Sequence, residues 1–418
     1  MVTTLLFSSS RGKRCVVLIP ALLSLALLAA CGGGAPAATT SKLKNRAFIS
    51  NSYSGQLQIV DTQTDKTAYT AQTTNSAGQI IPGTPVTVVI SQSSPITYEI
   101  ESPDHTVTAV YDPSTFLMYF VTNSTETTAG DVALGADAPM AIFSPDSTTV
   151  YVAEPNLNTG GRPGGVQVIT RSTASVTATY PVPSAKAVAV SPDGNSLLIF
   201  ADNSDSVFFV DLTASSPTPV EIPGFARPVN AFFSSDSTTA YILNCGPECG
   251  SMNPASVAAF NVGSKTITAT VAVGGASVGL LNGGTLYVAG SPVPPGTAST
   301  FDAINVSNMS RITASSVPIG DGFHTTMALA TNNKLYIGAT SCSNTTTGCL
   351  SVVDVSSYTP DAPLPPRGPI TGLLAIGKRD VVYSIEGGYL HIYDTDNDQL
   401  QATQIVFTGS LYGIVQVD

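Results

Sequence analysis

Between residue 46 and the C-terminus, short apolar runs alternate with clusters of small polar residues, and no long stretch after residue 31 places apolar residues at three-four spacing. The pattern predicts strands and few helices. Residues 191–212, SPDGNSLLIFADNSDSVFFVDL, show the unit: apolar runs at 197–201 and 207–210, joined by small polar residues and preceded by a Pro-Asp-Gly turn. The phrase returns at 139–153 (PMAIFSPDSTTVYVA) and 228–243 (PVNAFFSSDSTTAYIL), and in weaker form at 96–111, 277–290, 326–339 and 373–385. A second apolar run follows each copy, beginning near 117, 166, 207, 257, 303, 351 and 390. It leads through a polar turn to a last strand, clearest at 175–183, 266–275 and 401–407. Each unit is therefore four short strands.

With the turn between the first two strands as anchor (Asp104, Asp146, Asp193, Asp236, Gly283, Asn333, Arg379), successive anchors stand roughly 42 to 50 residues apart. That is the length of one four-stranded propeller blade. The N-terminal unit, from residue 46, lacks a first strand, whereas 411–418 (LYGIVQVD) is a strand without a unit. Pairing the two closes a ring and leaves no open sheet edge. Counting this composite gives an all-β propeller of eight blades over 45–418. Residues 76–95 are an insertion that blurs the second unit and keeps seven blades as the alternative. An Asp closing the third strand, at Asp61, Asp211, Asp354 and Asp394, suits an Asx-turn.

The units resemble the YVTN family of β-propeller repeats, which combine an SPDG-type turn, a strand like LYVTN and a strand ending in Val-Asp-Thr. The matching residues are Ser191-Pro192-Asp193-Gly194, Val150-Tyr151-Val152-Ala153 and Ile59-Val60-Asp61-Thr62. A literal Val121-Thr122-Asn123 falls in a third strand, and copies six to eight have lost the Ser-Pro-Asp turn. The resemblance implies a secreted or surface-attached propeller, often without assigned activity, with lactonase-like enzymes among its relatives.

Composition narrows the partners. Charged residues are 11% of the chain and apolar ones 43%, so the surface is covered by Ser, Thr, Asn, Gly and Pro. The net charge of -11 reflects a shortage of Lys and Arg, and no basic stripe follows a phosphate backbone. Nucleic acid is not an expected partner. At the N-terminus, Arg11, Lys13 and Arg14 precede an uncharged apolar run over 15–30, too short for a comfortable membrane span and right for a signal peptide over 1–30. The Leu28-Ala29-Ala30-Cys31-Gly32 junction resembles the bacterial lipoprotein signal, which makes Cys31 the expected lipid-modified N-terminus and 31–44 a flexible tether. The competing readings are an ordinary cleavage site and an uncleaved anchor. All place the mature chain outside the cytoplasm, at the bacterial cell envelope; without Asp after Cys31, the resemblance favours the outer membrane in a Gram-negative cell.

With strands A to D running outward from the axis, the D-to-A and B-to-C loops share one face and the Ser-Pro-Asp turns occupy the other. The B-to-C loops are tight in blades 2 and 4 but long in blade 3 (154–165), blade 5 (244–256), blade 6 (290–302) and blade 7 (340–349). Their coincidence on one face predicts a binding rim containing Asn158, Arg162, Asn244, Glu248, Asn253 and Asn344. Cys245 with Cys249, and Cys342 with Cys349, read as disulfides in an exported protein; a zinc site is the competing reading and has no His near either pair. Asp394-Thr395-Asp396-Asn397-Asp398 lacks the Gly and Glu of a calcium loop. No Ser-His-Asp order, phosphate loop or HExxH is present.

Glu99 and Glu101, on one face of an inner strand, and His324, in a D-to-A loop, are the candidates for catalysis in the channel. No cofactor or metal is expected. The sequence therefore points to a lipid-anchored module that binds an envelope protein or glycan through one loop face. The alternative is a lactonase-like or other hydrolytic enzyme acting in the channel.

Overall fold

The computed structural model describes residues 40–418, apart from 71, 82, 92–94, 159, 161–162, 293–298, 343–348, 363, 366 and 402–404. Eight antiparallel sheets form the ring, each a blade of four strands in A-B-C-D order. Blade 2 shows the plan, with Tyr98–Glu101, Val107–Asp112, Leu117–Thr122 and Thr127–Ala133 paired in sequence. Among the described residues helix is confined to two 3-10 turns, Arg171–Thr173 and Gly246–Cys249.

The apolar runs are continuous because both faces of a blade meet another blade. In blade 4 the second strand, Ser196–Ala201, is buried along its whole length and pairs Leu197 with Val210 and Leu198 with Phe209. Its alternate side chains part company. Leu197 and Ile199 pack with Val166 and Val168 of blade 3, while Leu198 and Phe200 pack with Ala231 and Phe233 of blade 5. Period-two alternation thus distributes one strand between two cores instead of between core and water.

The Ser-Pro-Asp turns, and the Ser234-Ser235-Asp236 turn of blade 5, join first and second strands by one recurring bond set. Ser102 and Ser234 hydroxyls each donate to the Asp two residues on, at 2.6 Å. The Asp Oδ1 then accepts the N–H of Thr106, Thr148, Asn195 or Thr238, at 3.1 Å in each turn. The intervening residue takes a left-handed conformation, φ 57° at His105, 62° at Ser147, 73° at Gly194 and 60° at Ser237. Turns also bind the next blade: the Asp104 N–H donates to Ser147 Oγ at 2.9 Å, and that of Asp193 to Ser237 Oγ at 3.1 Å. Asx-turns close the third strands as expected, with Asp61, Asp211, Asp354 and Asp394 accepting the N–H two residues on at 2.8–2.9 Å.

Hydrogen bonds from the Ser144 hydroxyl and the Thr148 N–H hold the Asp146 carboxyl below its ordinary range. Asp146→Ala is therefore expected to lower stability by about 1–2 kcal/mol at pH 7. A depressed carboxyl contributes above its unfolded pKa and loses that contribution as pH falls, so the gap should close in acid. Urea melts at pH 7 and pH 3 check this; a gap of equal size at both would contradict the account.

The ring closes as the two incomplete ends require. Leu411–Gln416 pairs antiparallel with Arg46–Asn51, placing Phe48 opposite Val415 and Ile49 opposite Ile414. Blade 1 draws its outer edge partly from the inserted segment: Thr87–Val89 pairs with residues 56–58 of the third strand, and Lys66–Thr67 with residues 60–61. Of the strand expected at 401–407, the described residues 401 and 405–407 form none. The outer strand of blade 8 is Gln399–Leu400, residues 402–404 lie outside the described residues, and Ile405 and Phe407 turn inward against the cluster of Ile49 and Ile385.

Candidate functional site

The loop face is built on a repeated tie at the end of the second strand. Glu154 Oε2 accepts the Ala136 N–H at 2.6 Å, Asn244 Oδ1 accepts the Ala226 N–H at 3.2 Å, and Asn51 Nδ2 donates to the Thr408 carbonyl at 2.8 Å. In each case a side chain at the B-to-C corner fixes the D-to-A loop of its own blade. Both cysteine pairs are disulfides, Cys245–Cys249 with Cα atoms 5.7 Å apart and Cys342–Cys349 with 5.4 Å. Bridges this short remove loop freedom locally, which reduces the ordering needed when a partner binds.

A cleft of about 470 Å³ opens on this face across blades 3 to 7. Met140 at the start of the inner strand of blade 3, Ala187 of blade 4, Val229 of blade 5 and Phe323 of blade 7 form its apolar wall. Lys186, Asp202, Arg227 and Glu248 supply the charges. Lys186 Nζ is 2.8 Å from Asp202 Oδ1. Glu248 accepts the Ser291 N–H at 2.8 Å, bridging the loops of blades 5 and 6, and burial raises its carboxyl above the ordinary range. Arg227 Nε is shielded and without a hydrogen-bond partner.

Around the cleft the same face carries exposed aromatic rings. Tyr53 and Phe116 stand in B-to-C turns, Tyr389 at the start of a third strand, and Phe323 and Tyr412 at the starts of inner strands. Met252, 99% exposed at the tip of the blade 5 loop, extends the series. Isolated exposed apolar residues need no explanation, but large rings gathered at one end of the ring mark a surface suited to contact.

The residues singled out from sequence fall in different places. Asn158 and Asn253 are exposed on their loops and Glu248 lines the cleft. Asn244 is buried, because its side chain is the loop tie described above, and it is unavailable to a partner. Arg162, Asn344 and Cys31 lie outside the described residues, as do the signal segment and most of the tether.

Glu99 does not open into the channel. Its strand sends one row of side chains into each adjoining wedge, and Glu99 enters the seam with blade 1, where it accepts the Ser50 N–H at 3.1 Å. Glu101 sits on the same face with Oε1 2.8 Å from His105 Nδ1, at the Ser-Pro-Asp end. His324 is buried in blade 7, and that burial lowers its pKa to about 4, so it is neutral at pH 7. The three groups occupy two separate seams and opposite ends of the fold, and they do not converge on one reacting centre. Arg227, Lys186 and Asp202 were not singled out from sequence. Their only signal there is position, since each flanks a B-to-C or D-to-A turn in a chain with few cations.

No family model matches the chain, and no curated protein does. Solved structures do match. The chain is similar to the dihydro-heme d1 dehydrogenase NirN in complex with DHE, at 13% identity and a TM-score of 0.64 over 89% of this chain and 75% of that one. It is similar to Sqt1 of Saccharomyces cerevisiae, at 11% identity and a TM-score of 0.59 over 76% and 87%. A functionally unknown protein from Desulfotomaculum acetoxidans matches at 15% identity and a TM-score of 0.53 over 76% and 95%. At such identities the likeness establishes the β-propeller fold and nothing about chemistry.

Proposed function

We propose that this chain is a binding module, displayed outside the cytoplasm from a lipid anchor at Cys31, that recognises an envelope protein or glycan with its loop face. The observation that carries the proposal is the gathering of the cleft, Met252 and five exposed aromatic rings on that face. Supporting it, the two disulfides fit an oxidising compartment and stiffen loops on the contact side. The charge-then-apolar leader ending at Cys31 and the likeness to YVTN repeats agree with export. Among the described residues no helix is long and apolar enough to cross a membrane. In this reading the lipid on Cys31 attaches the chain.

Photo-cross-linkers placed at Asn158 and Asn253, with a control at Asp236 on the opposite face, test the proposal in intact cells. A partner trapped from the loop face alone is expected. Equal trapping from both faces, or none, would remove the rim as a recognition surface.

A further inference from the structure

We infer that the outer edge of blade 1 makes a second contact with the membrane: Lys42, Lys44 and Lys66 meet anionic lipid headgroups, and Ile80 and Ile81 of the inserted hairpin enter the bilayer surface. The inference rests on the anchored reading above and adds how the ring is held.

The tether is fixed where it joins the ring. The Ser41 N–H and hydroxyl both donate to the Glu126 carboxylate, in the turn between the third and fourth strands of blade 2, and Leu43 packs against the cluster of Phe48, Val86 and Val88. Arg46 of blade 1 donates to the same carboxylate at 2.8 Å, so the tether meets the ring at the Ser-Pro-Asp end of the seam between blades 1 and 2. Ser41 stands ten residues after Cys31. Full extension of that stretch gives a reach of about 35 Å. A lipid on Cys31 therefore keeps this end of the seam close to the bilayer, while the loop face lies at the other end of the strands.

Three exposed lysines gather where the tether arrives. Lys42 and Lys44 flank Leu43, and the neighbouring Asn45 carbonyl accepts the Thr62 N–H at 2.8 Å. Lys66 opposes Asp61 in the short outer strand of blade 1. The acids nearby are engaged elsewhere. Arg46 also holds Asp418, at 2.9 Å, and Arg379 holds Asp65 at 2.7 Å, while Asp61 accepts the Gln63 N–H and the Thr64 hydroxyl, each at 2.9 Å. Among the described residues none of the three lysines makes an ion pair. Uncommitted cations beside a tether, in a chain of net charge -11, complement an anionic surface, and each adds about fivefold to affinity for one.

The hairpin that leaves this edge is apolar and uncharged. It begins beside Lys66: the Val86 N–H donates to the Ala68 carbonyl and the Thr70 N–H to the Thr84 carbonyl, both at 2.8 Å, and further along Thr73 and Thr74 pair with Ile81 and Ile80. Ile80 is 69% exposed, and Ile81 and Tyr69 are also open to solvent. No charged residue occurs between 67 and 98. Adjacent isoleucines left in water are unfavourable, and shallow burial at the headgroup boundary relieves them. The bilayer is the occupant because the tether brings it to this edge in every anchored molecule, and the lysines at the hairpin base match its charge.

The chain contains no Trp, so a single Trp reports without background. Exported protein carrying Ile80→Trp, or Met252→Trp as the loop-face control, is recovered from membranes. Each is reconstituted into phosphatidylethanolamine–phosphatidylglycerol vesicles with brominated acyl chains. The probe at position 80 is expected to emit at shorter wavelength and to be quenched at least about twofold more than the probe at 252. Replacing Lys42, Lys44 and Lys66 together by Gln, or using neutral phosphatidylcholine vesicles, should lower that quenching by at least about half. Thermal melts show whether each variant folds, and Tyr69→Trp takes the place of Ile80→Trp if the latter does not. Equal quenching at the two positions, or emission from the hairpin probe unchanged by vesicles, would overturn the inference. Quenching undiminished by loss of the lysines would overturn the part given to them. Incorporation of labelled fatty acid at Cys31 is read separately. A lipidated protein with the hairpin probe in water loses this contact and keeps the anchored binding module. An unlipidated one loses the anchor and this inference together, and the loop-face cross-links still decide binding.

Discussion

Removing residues 411–418 is expected to abolish the folded ring. The segment supplies the innermost strand of blade 1 and buries Leu411 and Val417 in two different cores, with Ile414 packed against the first of them. Each buried side chain of this kind contributes about 1.5–3 kcal/mol, and a whole domain is stable by only about 5–15 kcal/mol. Polar ties are lost as well. Arg46 Nη2 donates to Asp418 Oδ1 at 2.9 Å, and the Gly413 N–H donates to Ser50 Oγ at 2.7 Å. The strand Arg46–Asn51, buried over its whole length, would become an open edge and a template for aggregation. Gel filtration and far-ultraviolet circular dichroism of the truncated chain should show aggregates or a strongly lowered melting temperature. A soluble monomer melting like the full chain would mean that seven blades stand without closure. A milder variant isolates the packing: a Cβ at Gly413 would lie 2.6 Å from Glu99 Oε2, so Gly413→Ala should cost about 1–3 kcal/mol with the strand still paired.

Much of this fold was legible because its signals are local. The Ser-Pro-Asp turns carry their hydrogen bonds within a few residues, so the phrase at 191–212 could be matched to its copies without knowing what surrounds them. Ring closure was legible from arithmetic, since a unit without a first strand and a strand without a unit complete one another. The insertion at 76–95 was harder to place: Thr87–Val89 joins a strand roughly thirty residues earlier in the chain, and nothing in three residues announces its partner.

The site was legible as a face but not as residues. Long loops at 154–165 and 244–256 mark the end of the ring at which the cleft opens. Asn244 looked like a rim residue because Asn is common in exposed loops, yet its role depends on the Ala226 N–H of another segment. Arg227 carries no such signal, because its place in the cleft depends on the segments of blades 3 to 7 that surround it. Glu99 and Glu101 were placed on one strand face correctly by alternation. What alternation could not say is that both faces of an inner strand point at neighbouring blades.

That placement of Glu99 makes the stability of the ring depend on pH in an unusual direction. Burial in the seam between blades 1 and 2 pushes its carboxyl up to about 8, against the hydrogen bonding it receives from Ser50. A carboxyl raised above its unfolded value contributes fully below that value, and its contribution is lost as pH rises through the folded pKa. Between its ordinary value of 4.5 and about 8 the folded state holds a proton that the unfolded chain releases. At about 1.4 kcal/mol per unit, the interval from pH 5 to pH 8.5 carries a loss of about 3–4 kcal/mol. Glu99→Gln should remove that slope, because the amide oxygen can still accept the Ser50 N–H and nothing at the position titrates. The variant is expected to be less dependent on pH than the wild type, gaining on it as pH rises and standing above it in base. Glu154, buried and raised to about 7 by that burial, adds a second and smaller slope of the same sign, so the Glu99→Gln curve should flatten without becoming level. Urea unfolding of both proteins at intervals from pH 5 to pH 8.5 measures the difference. Parallel curves would mean that Glu99 is ionised in the seam at neutral pH, and that the space left by Gly413 holds a charge and not a neutral acid.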